Sequence, residues 1–186
     1  MRPAAGEVLH FSEDPTIEVF VPHVAATAQQ PEAYVWAVGP DRAPDYWFPR
    51  QCPRALVWAT DGTSDLDRER LIGAGCGTRV HVIEYAWWRA MGTTSLYAYR
   101  LPADRFRPIG DPAHAVVATE PVVPLGPPDP VGDLIDCHAA AGIQLRLVDN
   151  LWPYWDEVIT STVGFSGIRL RNARPRPQRR PLEDTE

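Results

Sequence analysis

Apolar residues come in short runs broken by proline, glycine and charged turns, and most of these runs alternate as strands do. Residues 8–11 predict a first strand, ended by the polar turn Ser12-Glu13-Asp14-Pro15, where proline fixes the chain direction. Residues 17–20 predict a second short extended piece. Residues 25–31 are small, polar and aperiodic, which predicts a loop, and 33–38 resume a run rich in Tyr, Val and Trp. The proline-punctuated stretch 40–48 predicts a turn or short helix presenting aromatics, followed by a strand at 55–59. Further strands are predicted at 79–84, 95–101, 115–123, 143–147 and 168–171, with Glu120 carried on the 115–123 strand.

Helical signals are fewer. Residues 65–72 are a charged stretch behind the turn Asp61-Gly62-Thr63-Ser64, and 134–141 end at Gly142, suited to a C-terminal cap. A further helix is predicted to start at Trp152 or Pro153 and run to about Thr162, burying Trp155, Val158, Ile159 and Val163. Phe165-Ser166-Gly167 reads as a turn. Short strands with a few short helices predict a mixed, mainly antiparallel α+β fold. The expected organisation is one globular domain over 1–172 and a disordered tail over 173–186, Arg/Pro-rich and then acidic.

A chain of 186 residues can bury roughly 70% of its unfolded surface, so a sizeable core is available. The 20 prolines favour short elements joined by rigid loops. All 18 basic residues are arginine, which excludes chemistry built on a Schiff-base lysine and a phosphate loop of the Walker type. The net charge of −6 opposes a general nucleic-acid surface. Arg169, Arg171, Arg174, Arg176, Arg179 and Arg180 are the local exception, read as a solvated extension with a phosphate-contacting arm as the alternative.

Cys52, Cys76 and Cys137 are odd in number and scattered, with no Cys-x-x-Cys pair and no signal peptide, which predicts reduced thiols and a cytoplasmic protein. No apolar run approaches the roughly 18 residues of a membrane span. His10, His23, His81, His114 and the Cys137-His138 pair lack metal-ligand spacing, and adjacent helical residues diverge, so no metal is expected. No Gly-x-Ser-x-Gly elbow is present. Gly73-Ala74-Gly75-Cys76-Gly77 follows a helical stretch and precedes a strand, the reverse of a dinucleotide-binding loop, and reads as a flexible helix-ending loop.

Candidate chemistry lies in three separated segments: Leu9-His10-Phe11-Ser12, Val35-Trp36-Ala37 with Ala43 and Tyr46 beyond it, and Ala118-Thr119-Glu120-Pro121. A His, paired aromatics and a Glu in that order resemble the His-Tyr-Glu pattern of ADP-ribosyltransferase-like enzymes, over about residues 8–125. The block His10-Phe11-Ser12-Glu13-Asp14-Pro15 is also similar to the opening of a family of small uncharacterised bacterial proteins, a likeness that implies no activity.

The first resemblance implies an ADP-ribosyltransferase-like fold and NAD as substrate without a metal. It also implies cleavage of the nicotinamide glycosidic bond, with ADP-ribose passed to a protein, nucleic acid, small molecule or water. Such cleavage develops positive charge on a ribose carbon, which a carboxylate stabilises. The resemblance gives that role to Glu120, with Glu84 of Val82-Ile83-Glu84-Tyr85 as the competing carboxylate. It gives His10 the adenosine-side ribose, Ser12 an assisting hydroxyl, and Trp36 and Tyr46 the nicotinamide cradle. Trp36 stands where a Tyr is usual, and Pro40 and Pro44 make the spacing unusual.

Each residue also has a plain structural alternative: a solvated strand-end Glu, a hydrogen-bonded His, core aromatics. The rival function is accordingly a non-catalytic binding or interaction module of the same layout. Gathering of His10 and Glu120 in one cleft favours the enzyme, and their separation favours the module. The aromatic block of Trp152, Tyr154 and Trp155 falls outside the resemblance and is expected to cap the core or meet a substrate.

Overall fold

The computed structural model describes residues 2–24, 32–75, 77–110 and 113–177. The predicted 25–31 loop, Cys76 and the tail residues Gln178 to Glu186 lie outside that set. In chain order the strands are β1 (Glu7–Ser12), β2 (Val35–Ala37), β3 (Arg54–Trp58), β4 (Arg79–Glu84), β5 (Tyr97–Pro102), β6 (Arg107–Ile109), β7 (Ala115–Ala118), β8 (Asp129–Pro130), β9 (Gln144–Val148) and β10 (Gly164–Ile168). The α-helices are α1 (Asp65–Asp67), α2 (Trp88–Met91), α3 (Leu134–Ala140) and α4 (Leu151–Val158). The fold is mixed α+β, with mainly antiparallel sheets and short helices. No helix of the described residues is long and apolar enough to cross a membrane.

By its internal contacts the chain divides into two compact units: Met1–Arg50 with Ala90–Ala141, and Gln51–Arg89 with Gly142–Glu186. In the first unit, β1, β5 and β8 form one antiparallel sheet and β2, β7 and β6 another. The sheets join where Leu9 and Val38 exchange backbone hydrogen bonds of 2.9 Å. Alternation along β1 sends Val8 into a cluster with Phe20, Val35, Tyr99 and Leu101, and Leu9 into another with Val38, Ala43 and Ala115. Both faces of β1 are therefore covered, and a residue such as Leu9, 1% exposed, contributes about 1.5–3 kcal/mol through burial.

The second unit is a four-stranded sheet in the order β10-β3-β4-β9, parallel only between β4 and β9. Ala55, Val57, Val80 and Val82 on one face meet Leu71, Ile72, Leu151, Val158 and Val163. The helix predicted over 65–72 breaks into α1 and a single π turn, Arg68–Ile72, closed by Gly73 N–H donating to Arg68 O at 2.9 Å. Distant side chains satisfy its carbonyls: Arg146 donates to Leu71 O (3.0 Å) and Ile72 O (2.8 Å), and Tyr154 OH donates to Leu71 O (2.7 Å).

Three other boundaries differ from expectation. Phe165-Ser166-Gly167 is the middle of β10 rather than a turn, because Gly167 leaves room for the Trp155 ring and Gly164 for Trp58. The strand ends at Ile168, where Arg169 turns left-handed at φ 57°, so the strand predicted at 168–171 ends before its second residue. The last helix begins at Leu151 and stops at Val158, leaving Ile159 45% exposed instead of buried.

Candidate ligand pocket

The block after β1 builds a chain reversal out of its own short polar side chains. Ser12 Oγ accepts the Asp14 N–H (3.1 Å), and Asp14 Oδ1 accepts both the backbone N–H (2.8 Å) and hydroxyl (2.7 Å) of Thr16. From β5, the fully buried Tyr99 pins the turn, its hydroxyl donating to Asp14 O (2.7 Å) and accepting the Ile17 N–H (3.0 Å). The returning chain pairs Phe20 with Val122 and sets the Phe20 ring 4.5 Å from the His10 ring. Glu13 reaches forward instead, accepting the Arg50 N–H at 2.7 Å and fixing that residue's backbone.

His10 itself is held by β2. Its Nδ1 lies 2.7 Å from the Trp36 carbonyl oxygen, which can only accept, so Nδ1 carries the proton. In the neutral ring Nε2 then holds a lone pair. Burial, reinforced by the positive charge of Arg50 and by His23, lowers the pKa of His10 from 6.5 to about 4 against the opposing Trp36 bond. The imidazole is neutral at physiological pH.

A pocket of about 200 Å³ opens beside it, lined by His10, Ile17, Val19, Phe20, Val21, His23, Val35, Trp36 and Arg50. Its walls are apolar, with a neutral imidazole, a second His and a guanidinium among them. The indole N–H of Trp36 is buried and has no hydrogen-bond partner among the described residues. At this size the pocket falls below the roughly 300–1,000 Å³ of sites that engulf a drug-sized ligand. A whole dinucleotide exceeds that volume.

Of the residues singled out in the sequence, His10 and Trp36 meet here. Ser12 is 2% exposed and committed to the turn. Tyr46 stacks on Phe11 at 6.4 Å and packs on the Leu9 and Val38 cluster. Glu120 does not sit on a strand: β7 ends at Ala118, and Glu120 is exposed in the bend beyond, outside the pocket lining. The competing carboxylate, Glu84, is 2% exposed in the other unit, where it accepts the backbone N–H groups of Leu151 and Arg174 at 3.1 Å. Phe20 and Arg50 carried no sequence signal of a site, and His23 was weighed only as a metal ligand lacking the spacing for one, because the Ser12 to Thr16 reversal and the Glu13 contact are what bring this part of the chain to His10.

Cys137 and His138 make separate contacts, with Val131 O and Leu134 O respectively. The described residues contain no group of three or more His, Cys, Asp or Glu arranged to hold a metal. Burial pushes the Cys52 thiol up to about 12, so it is no nucleophile. Gly73 follows the π turn, Gly77 comes shortly before β4, and a Cβ on Gly77 would meet Gly142 O at 2.6 Å.

These features define a mixed α+β protein with a small, mostly apolar pocket bearing a fixed neutral histidine. Residues 9–173 match the model of a family of unknown function, DUF6886, and the chain belongs to that family. Comparison with curated proteins and with solved structures finds no match.

Proposed function

We propose that the chain is a cytoplasmic small-molecule-binding protein whose pocket takes one end of an anionic ligand. The observation that carries this reading is His10, fixed by Trp36 in one tautomer and neutral, in the same pocket as Arg50. Arg50 meets the negative charge, His10 Nε2 accepts a hydrogen bond from a ligand hydroxyl or amide, and Phe20 and the valines cover an apolar portion. The scattered cysteines of the sequence support the compartment.

A second reading keeps the ADP-ribosyltransferase-like resemblance: NAD bound at this pocket and cleaved, with an acceptor that is a protein, a nucleic acid or a small molecule. It is favoured by the pairing of His10 with Trp36, two of the residues the resemblance assigns to NAD. The exposed position of Glu120 outside the lining weighs toward binding without cleavage.

Thermal unfolding with phosphate, simple hydroxy acids, ADP-ribose and NAD, alongside chromatography for released nicotinamide, separates the two. Stabilisation by one of these anions that is lost in Arg50→Ala supports the binding reading. Nicotinamide release that vanishes in Glu120→Gln makes the protein an NAD-cleaving enzyme. No stabilisation by any of them removes the pocket as an anion site.

A further inference from the structure

Residues 174–176, expected as the start of a solvated tail, are bound to the second unit like a peptide in a receptor. Their backbone is read first. Arg174 N–H donates to both oxygens of the buried Glu84 carboxylate at 3.1 Å, Trp152 Nε1 donates to Arg174 O at 2.7 Å, and Asn150 Nδ2 donates to Pro175 O at 2.9 Å. The side chains are read next. Arg174 pairs with Asp149, and Arg176 Nη1 reaches both carboxylate oxygens of Asp156 at 2.7 Å. The Arg176 guanidinium also lies over the Trp152 ring, 4.1 Å from its centroid.

Every receptor group comes from the end of β4, the turn before α4, or α4 itself. Glu84, Asp149, Asn150, Trp152 and Asp156 all fall within the stretch that matches the family, and Arg174 is the first residue beyond it. The proline between the arginines has no N–H to satisfy and holds the segment extended, so the two side chains separate to opposite acidic partners. Exposed ion pairs alone are weak. Here they flank four backbone and indole hydrogen bonds, one set of which ends on a buried carboxylate.

We propose that the amino-terminal end of α4, with Glu84, forms a recognition site for an extended Arg-Pro-Arg peptide segment, and that the chain's own 174–176 occupies it in cis. The partner is a protein presenting such a segment in an unstructured stretch. Tethering raises the local concentration of the internal copy to about the millimolar range, so the site is closed to external peptide until the internal copy is released.

The test uses the full chain carrying Arg174→Gly, Pro175→Gly and Arg176→Gly, with folding checked by circular dichroism. A fluorescent peptide with the sequence of residues 173–178, Ala-Arg-Pro-Arg-Pro-Gln, is titrated into it and into the wild type. The expected result is binding at least tenfold tighter to the triple variant than to the wild type, abolished when Asp156→Arg is added. Equal binding to both proteins, or binding indifferent to Asp156→Arg, overturns the proposal. If the triple variant does not fold, hydrogen exchange in an otherwise wild-type chain decides: Asp156→Arg speeds exchange of the Arg174 amide at least tenfold, and an unchanged rate overturns the proposal.

Discussion

Glu84 in one unit and His10 in the other each lie against a neighbouring strand or helix, and the two are treated in opposite ways. Glu84 has its carboxylate enclosed by donors: Leu151 N–H at the start of α4 and Arg174 N–H from the chain beyond β10. His10 has one nitrogen engaged by Trp36 O and the other left in a pocket shared with Arg50 and His23. A charge with its lone pairs filled by backbone donors holds structure together. A neutral base facing a pocket beside a guanidinium supports the anion-binding reading proposed above. Both residues belong to strands that the sequence predicts, so strand position alone does not tell their surroundings apart. The partners do.

The comparison is broken most severely at Glu84. Glu84→Leu strands the buried Leu151 N–H and the half-buried Arg174 N–H, at about 1–3 kcal/mol for a buried donor and less for the other, and urea unfolding is expected to show a loss of about 3 kcal/mol. Glu84→Gln keeps acceptor capacity and should lose about half as much. His10→Leu, which removes one hydrogen bond among the described residues, should cost under about 1 kcal/mol.

Acid acts on the His10 side of this comparison. The folded His10 pKa is about 4 and the unfolded one 6.5, so between these values the unfolded chain binds more protons. This contribution is complete above about pH 6.5 and is lost as pH falls toward 4. Because the ring is partly open to solvent, the wild type should lose about 2 kcal/mol more than His10→Leu across that window in parallel urea titrations.

Smaller effects sharpen the reading of the pocket. Tyr99→Phe removes the hydroxyl serving Asp14 O and Ile17 N–H, with an expected loss of about 1–2 kcal/mol and weaker anion-dependent stabilisation, since the reversal that carries Phe20 to His10 loosens. Arg50→Ala should change unfolding free energy by less than about 0.5 kcal/mol, because the side chain is exposed and its backbone bond to Glu13 survives. Its signature is loss of anion binding in the thermal assay without loss of fold.

Much of the secondary structure was legible. Alternation located β1, β3, β4, β5 and β9 within a residue or two, and Gly142 marked the end of α3. Legibility failed where the deciding group was distant. Gly164 and Gly167 weaken a strand signal locally yet are needed in β10 by Trp58 and Trp155. The π turn at Arg68–Ile72 rests on Arg146 and Tyr154. In the site, His10 and Trp36 were visible because each stands out in a short strand. Arg50 and His23 were not, since an arginine after proline and a histidine in a valine run are ordinary surface residues by themselves.

Period, turn chemistry and composition act over a few residues, and they determined the α+β class, the absence of lysine chemistry and the strand that presents His10. The choice of which polar groups are closed off and which stay open required three-dimensional contact. Ser12 became a turn acceptor, Glu120 fell beyond the end of β7, Glu84 was filled by backbone donors, and Arg174 to Arg176 were held on α4. Hydrogen bonding and desolvation depend on what lies within a few ångströms in space, and chain reversals bring those neighbours from dozens of residues away.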